Sequence, residues 1–261
     1  DVELTIQTVL LASSVVQGLS IKESGINVHY WSHVVISLLC SHVGLCVGAL
    51  NDDCPGSSMF STTRSNEPLR MKLADRTNAS LLEFRIERGQ KFVEEKFGGS
   101  ETINSDLLKA LIASTSFPLL FHPNKPIFRS PKYQHLSKQA IEMCALVHGC
   151  DLLILLAMDN VYKKLPRIFY ELLEAPLFIP FYERGIRTMP EFRKSFLSIH
   201  WKNSIVYIEP VMQLLMFTQS GQSWKSQLFS NLFECFHGNL VPSELNKKHF
   251  IKSKLVLQLK K

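Results

Sequence analysis

Residues 136–158 read LSKQAIEMCALVHGCDLLILLAM, and how this run divides decides the fold. Its first half is amphipathic, with Leu136, Ala140, Met143, Cys144 and Val147 recurring at helical spacing. Its second half, Asp151 to Met158, is a continuous apolar run of the kind that forms strands buried on both faces of a parallel sheet. Gly149 stands between them, where a left-handed glycine would close a helix. The run therefore predicts a helix over 136–148 followed by a buried strand.

The same grammar extends outward. Leu4–Leu11 reads as a strand that ends in a loop at Ala12-Ser13-Ser14, Leu19–His29 as a helix, and Val34–Val43 as a second buried strand. Leu69–Ala74 and Ser80–Arg85 flank Asp75-Arg76-Thr77-Asn78-Ala79, a hairpin signal. Ser105–Ser114 predicts a short helix capped by Asn104 or Ser105. Further on, Pro190–Leu197 and Trp224–Phe236 read as helices, and Ser204–Ile208 as a strand stopped by Glu209-Pro210. Alternating elements of this kind point to an α/β protein, a three-layer α/β/α sandwich around a mostly parallel central sheet. A chain of 261 residues with 46% hydrophobic and 20% charged residues is enough for one such domain over 1–261. Residues 160–261 would pack on it as a C-terminal extension of helices and strand.

The net charge of +6 and pI of about 9.0 favour an anionic partner, a membrane surface or a nucleic acid. The basic residues are scattered, and cluster only from Lys247-Lys248 to Lys260-Lys261. No RNP pattern or zinc-finger spacing accompanies them, so no nucleic acid is expected. Six cysteines without a C-x-x-C predict reduced thiols in an intracellular, cytoplasmic setting. Cys144-x3-His148-x-Cys150 lacks a fourth ligand, so neither a metal nor a cofactor is expected. Residues 24–51 contain no Asp, Glu, Lys or Arg, a length that would span a bilayer. His29, His33, His42, Asn27 and Asn51 interrupt the run, which is read instead as a buried helix and strand.

One short stretch bears on chemistry. Gly44-Leu45-Cys46-Val47-Gly48 has the form of a tight turn that presents a nucleophile between two glycines. A thiolate at Cys46 could attack an ester if a helix start or a nearby imidazole lowered its pKa, and His42, His122 and His135 are the candidate bases.

In order along the chain, these pieces resemble the patatin-like lipid acyl hydrolases. The resemblance aligns Cys46 with the nucleophile of the Gly-x-Ser-x-Gly elbow, flanked by Gly44 and Gly48. It aligns Leu10–Gly18 with the glycine-rich oxyanion loop, and Ala110–Pro123 with the Ala-Ser-x-x-x-Pro-x-x-Phe-x-Pro segment. Pro68–Asp75 with Leu81–Phe84, Lys163–Pro166 and Ile205–Pro210 supply further landmarks. It implies a Ser–Asp dyad, and this chain departs from it: Arg129 stands about where the aspartate belongs, and Ser13, Ser14 and Val15 replace the glycines, leaving Gly18. The implied function is a divergent lipid acyl hydrolase or esterase with Cys46 in place of serine. The alternative is a catalytically silent scaffold that binds a lipid surface or a protein, with Pro176–Tyr182 as one exposed apolar segment.

Overall fold

The structure, a computed structural model, describes residues 2–57, 59–62, 69–70, 78–115, 136–174 and 185–237. Arg129, His122, His135, the 176–182 segment and the basic 247–261 end lie outside the described residues.

Residues 138–157 form one uninterrupted helix, and this overturns the α/β reading. An apolar run buried on every side has the same composition whether it is strand or helix, and here length favours helix. Gly149 does not stop the helix. A Cβ there would lie 2.5 Å from Val211 Cγ2 and 2.8 Å from the Tyr207 carbonyl, so its bareness lets another helix cross closely.

Among the described residues eight α-helices follow one another: α1 (Val2–Lys22), α2 (Val28–Cys40), α3 (Arg85–Phe97), α4 (Ser105–Ser114), α5 (Lys138–Ala157), α6 (Val161–Glu174), α7 (Met189–Leu214) and α8 (Gln219–His237). The expected parallel sheet is replaced, among the described residues, by one antiparallel ladder of Met59–Phe60 with Leu69–Arg70. Helix α5 is the axis, touching α1, α2, α4, α6, α7 and α8. Its Val147, Cys150, Leu153 and Leu156 are fully buried in one continuous apolar cluster shared by all eight helices.

Each misread strand has a local cause. The predicted strand Leu4–Leu11 and loop Ala12-Ser13-Ser14 lie inside α1, where Thr8, Ser13 and Ser14 turn their hydroxyls back onto the carbonyls of Leu4, Val9 and Leu10. That bond satisfies the hydroxyl and makes serine tolerable in a helix interior. The predicted strand Val34–Val43 is the body of α2 and the turn after it, with Val34 and Leu38 on its buried face and Asn27 capping its start. The predicted strand Ser204–Ile208 continues through Pro210 within α7. Pro210 is exposed, so the carbonyl it cannot bond faces water and the helix survives. In place of the predicted hairpin, Leu69–Arg70 pairs with Met59–Phe60, and 78–84 winds as a 3-10 helix into α3.

Other expectations hold. Helix α4 spans Ser105–Ser114 with Asn104 Oδ1 accepting from Leu107 N at 3.0 Å. Helix α7 starts near Pro190 behind a capping box in which Thr188 and Glu191 satisfy each other's backbone. The predicted 224–236 helix lies within α8.

Candidate functional site

The Gly-x-Cys-x-Gly stretch is a loop, not a strand-to-helix elbow. Val43–Leu45 makes a single 3-10 turn after α2, and Cys46 follows it in extended conformation with its side chain exposed. Both glycines have structural causes. A Cβ on Gly44 would fall 2.0 Å from the Arg85 carbonyl, where α3 begins, and Gly48 has a φ of +79°.

What holds this loop is Arg88, fully buried on α3. Its Nε donates to the Gly44 carbonyl (2.7 Å), and the rest of the guanidinium donates to the carbonyls of Cys46 (3.0 Å) and Ser61 (2.8 Å). It also grips both oxygens of Asp53, at 2.9 and 2.8 Å, which in turn accept from the amides of Gly48, Leu50 and Ser61. Burial disfavours the Asp53 carboxylate, but these hydrogen bonds outweigh it and hold the group below the usual range. The Cys46 carbonyl is thus engaged inward while its thiol faces solvent.

The aligned oxyanion residues are helical and diverge around α1. Ser14, Val15 and Gly18 face the core: Ser14 Oγ lies 3.1 Å from Ser220 Oγ, and a Cβ on Gly18 would meet the Leu214 carbonyl at 2.1 Å. Ser13 faces outward. In a helix the amides are spent on i−4 carbonyls, so this stretch offers no converging N–H groups for an oxyanion. Of the candidate bases, His42 is partly buried, with Nδ1 3.1 Å from Ser41 Oγ. Burial, then Arg85, depresses it to about 3.

A second polar centre, absent from the sequence reading, joins the helix ends inside the molecule. The buried Arg85 guanidinium donates to the carbonyls of Ser41 and Thr115, at the C-terminal ends of α2 and α4, where the helix dipoles favour a cation. On α5, His148 has Nδ1 2.5 Å from the Ser114 carbonyl. On α7, His200 has Nε2 2.8 Å from the Leu152 carbonyl. A carbonyl only accepts, so each of these nitrogens carries a hydrogen. Burial lowers both histidines to about 4. Burial raises the neighbouring Asp151 to about 6, with Arg85 pulling the other way. Similarly, Asn104 N donates to His33 Nε2 at 3.0 Å, which leaves Nδ1 to donate to the His29 carbonyl at 2.6 Å. These histidines act as cross-braces. Among the described residues, no group of three or more His, Cys, Asp or Glu side chains is placed to hold a metal ion.

The third feature is a surface. Val2, Ile6, Leu10 and Ile21 on α1 are exposed, as are Val28, Trp31 and Leu39 on α2. Ile6 and Leu10 retain 52% and 55% of their accessible area, although Leu11, Ala12 and Val15, on the opposite face, are fully buried. From Leu4 to Asn51 the only formal charges are Lys22 and Glu23, at the tip between the two helices. Between α1 and α2 lies an open cleft of about 280 Å³ with Val16, Ile26, Val28 and Trp31 as its apolar lining and Ser13 and Gln17 among its polar atoms. The sequence reading had noticed the uncharged 24–51 run and assigned it to the interior. The exposed outer row of α1, spaced by four residues from Val2 to Leu10, was the signal that α1 has a second apolar face.

Fold and surfaces together define an α-helical protein built around one buried helix, with an uncharged helical hairpin on its outside. A family model described as Npun_R2479-like matches residues 1–238, and the chain belongs to the Npun_R2479-like family. This replaces the patatin-like resemblance, whose parallel sheet, elbow and glycine loop are not found among the described residues. The chain matches no curated protein and no solved structure.

Proposed function

We propose that this protein is a non-catalytic, peripheral docking protein that sets the outer face of α1 and α2 on a lipid bilayer. The observation that carries the reading is the row of exposed apolar side chains, Val2, Ile6 and Leu10 with Val28, Trp31 and Leu39, on two helices that have no formal charge along their length between Leu4 and Ile21 and between Val28 and Cys40. Large apolar patches of this kind mark interaction surfaces. Charge separates a bilayer from a protein partner. The first 51 residues hold Asp1, Glu3, Lys22 and Glu23, a balance of −2, so the chain's +6 leaves +8 for the remainder. A neutral apolar face on a chain whose net charge is positive suits acyl chains below anionic headgroups. Helix α1 would lie along the surface instead of crossing it, because its inner residues Leu11, Ala12, Val15 and Val16 are already covered by the protein.

The test is flotation with vesicles of phosphatidylcholine and phosphatidylglycerol. The wild-type chain floats with the lipid, more strongly as the anionic fraction rises. The double variant Ile6→Ser, Leu10→Ser keeps its melting temperature and loses about a hundredfold in partition, since each side chain contributes about 1.5 kcal/mol when buried. Absence of flotation at every composition, or flotation that ignores the double variant, refutes the reading. A chain that self-associates and does not float would show that the face serves a protein partner.

A further inference from the structure

Resting on that docking reading, we infer that the cleft between α1 and α2 receives a single acyl chain, so that the protein binds one lipid molecule specifically in addition to adhering to a surface. The lining decides the ligand class. Val16, only 1% exposed, is the floor; Ile26 is partly buried; Val28 and Trp31 stand at the rim. No charged residue lines the cleft, and its polar atoms belong to Ser13, Gln17 and Ser20. Ser13 Oγ already donates to the Val9 carbonyl at 2.8 Å, so toward the cleft it offers only lone pairs. A charged ligand would lose its hydration there without gaining a charge of opposite sign, whereas a hydrocarbon segment loses nothing. At about 280 Å³ the cleft falls just below the roughly 300 Å³ at which pockets begin to enclose whole drug-sized ligands. It is sized for part of a molecule, with the remainder outside. Its open side adjoins Val28 and Trp31 on the face proposed to meet the bilayer, so a chain could enter from the membrane without crossing water. Trp31 supplies an apolar ring for the chain and an indole N–H for the headgroup region.

The same chemistry is offered by a bilayer lipid and by a free single-chain lipid, and the experiment separates them. The probe is dodecylphosphocholine, titrated below its critical micelle concentration with no vesicles present, and tryptophan emission is recorded. A blue shift that saturates at one probe per protein, vanishes in Trp31→Phe, and weakens at least tenfold in Ser13→Phe is the expected result. Where Ser13→Phe lowers the melting temperature, Gln17→Phe fills the same cleft from an exposed position. The Ile6→Ser, Leu10→Ser variant, altered outside the cleft, keeps the probe response and loses flotation. No saturable response, or an equal response in the filled variants, overturns the inference. Flotation without probe binding removes the cleft and keeps the docking face; probe binding without flotation removes the docking face and keeps the cleft as a site for free single-chain lipid.

Discussion

Helices α1 and α5 are near equals by composition and opposites by position. One has 21 residues and the other 20, both are apolar enough to cross a membrane, yet 39% of the apolar window is buried in α1 against 78% in α5. Helix α5 is enclosed by six other helices, whereas α1 has neighbours on one side and leaves Ile6 and Leu10 to the outside. Hydropathy records how much apolar surface a segment has. The number of neighbours decides how much of it remains to be used.

The comparison predicts unequal responses to equal substitutions. The largest effect belongs to α5: Leu153→Ala removes a fully buried side chain and should cost about 2–5 kcal/mol in chemical denaturation, with Leu10→Ala as its counterpart on α1. Acid comes next, and it acts through His148 and His200 on α5 and α7 together with His42 after α2, whose depressed pKa has the same sign. His148 and His200 are held near 4 in the fold against about 6.5 unfolded, so the unfolded chain binds their protons first. Stability therefore falls as pH drops from about 6.5 to 4, by about 3 kcal/mol for each ring. Asp151, raised to about 6, has the opposite sign and offsets part of the loss below pH 6. Melting temperatures measured across this window, with His200→Phe flattening the slope, check the assignment; a flat wild-type profile would refute it. Helix α1 has no titratable group between Glu3 and Lys22, so its outer row adds no pH dependence of its own to vesicle binding.

Gly18→Ala separates the two faces of α1. Its Cβ would meet the Leu214 carbonyl at 2.1 Å, and backbone cannot step aside cheaply, so about 1–3 kcal/mol should be lost. Smallest of all, Leu10→Ala should shift stability by no more than about 0.5 kcal/mol while weakening flotation. If Leu10→Ala destabilised as much as Leu153→Ala, the contrast between the helices would be broken.

Legibility of the fold followed the same division. Helix α4 could be read because Asn104 and the apolar positions of 105–114 give local signals that agree with the tertiary result. Helix α5 could not, because a segment buried on all sides has no polar face to display a period, and Gly149 was open to two explanations. The serines of α1 and the β-branched residues of α2 biased those segments away from helix, and tertiary burial overrode the bias. At the site, Gly44 and Gly48 were read as the flanks of a nucleophile turn, whereas Gly44 makes room for the Arg85 carbonyl at the start of α3 and Gly48 has a φ of +79° in a loop held by Arg88. Contacts 44 positions apart, such as that of Arg88 with Gly44, leave no periodic trace. The absence of charge over 24–51 was visible; which of its apolar side chains met protein and which met the outside was not.

Two glycines described above as close crossings flank the same helix. Gly18 of α1 sits against the Leu214 carbonyl and Gly149 of α5 against the Tyr207 carbonyl, both on the last two turns of α7 or just before them. At Gly18 the two backbones meet directly, whereas at Gly149 the Val211 side chain also lies against the contact. At the Gly18 contact, rotamer changes, the usual way a packed interface absorbs displacement, are unavailable. A displacement of α1 at Gly18 would therefore pass to the end of α7 with no side chain there to absorb it.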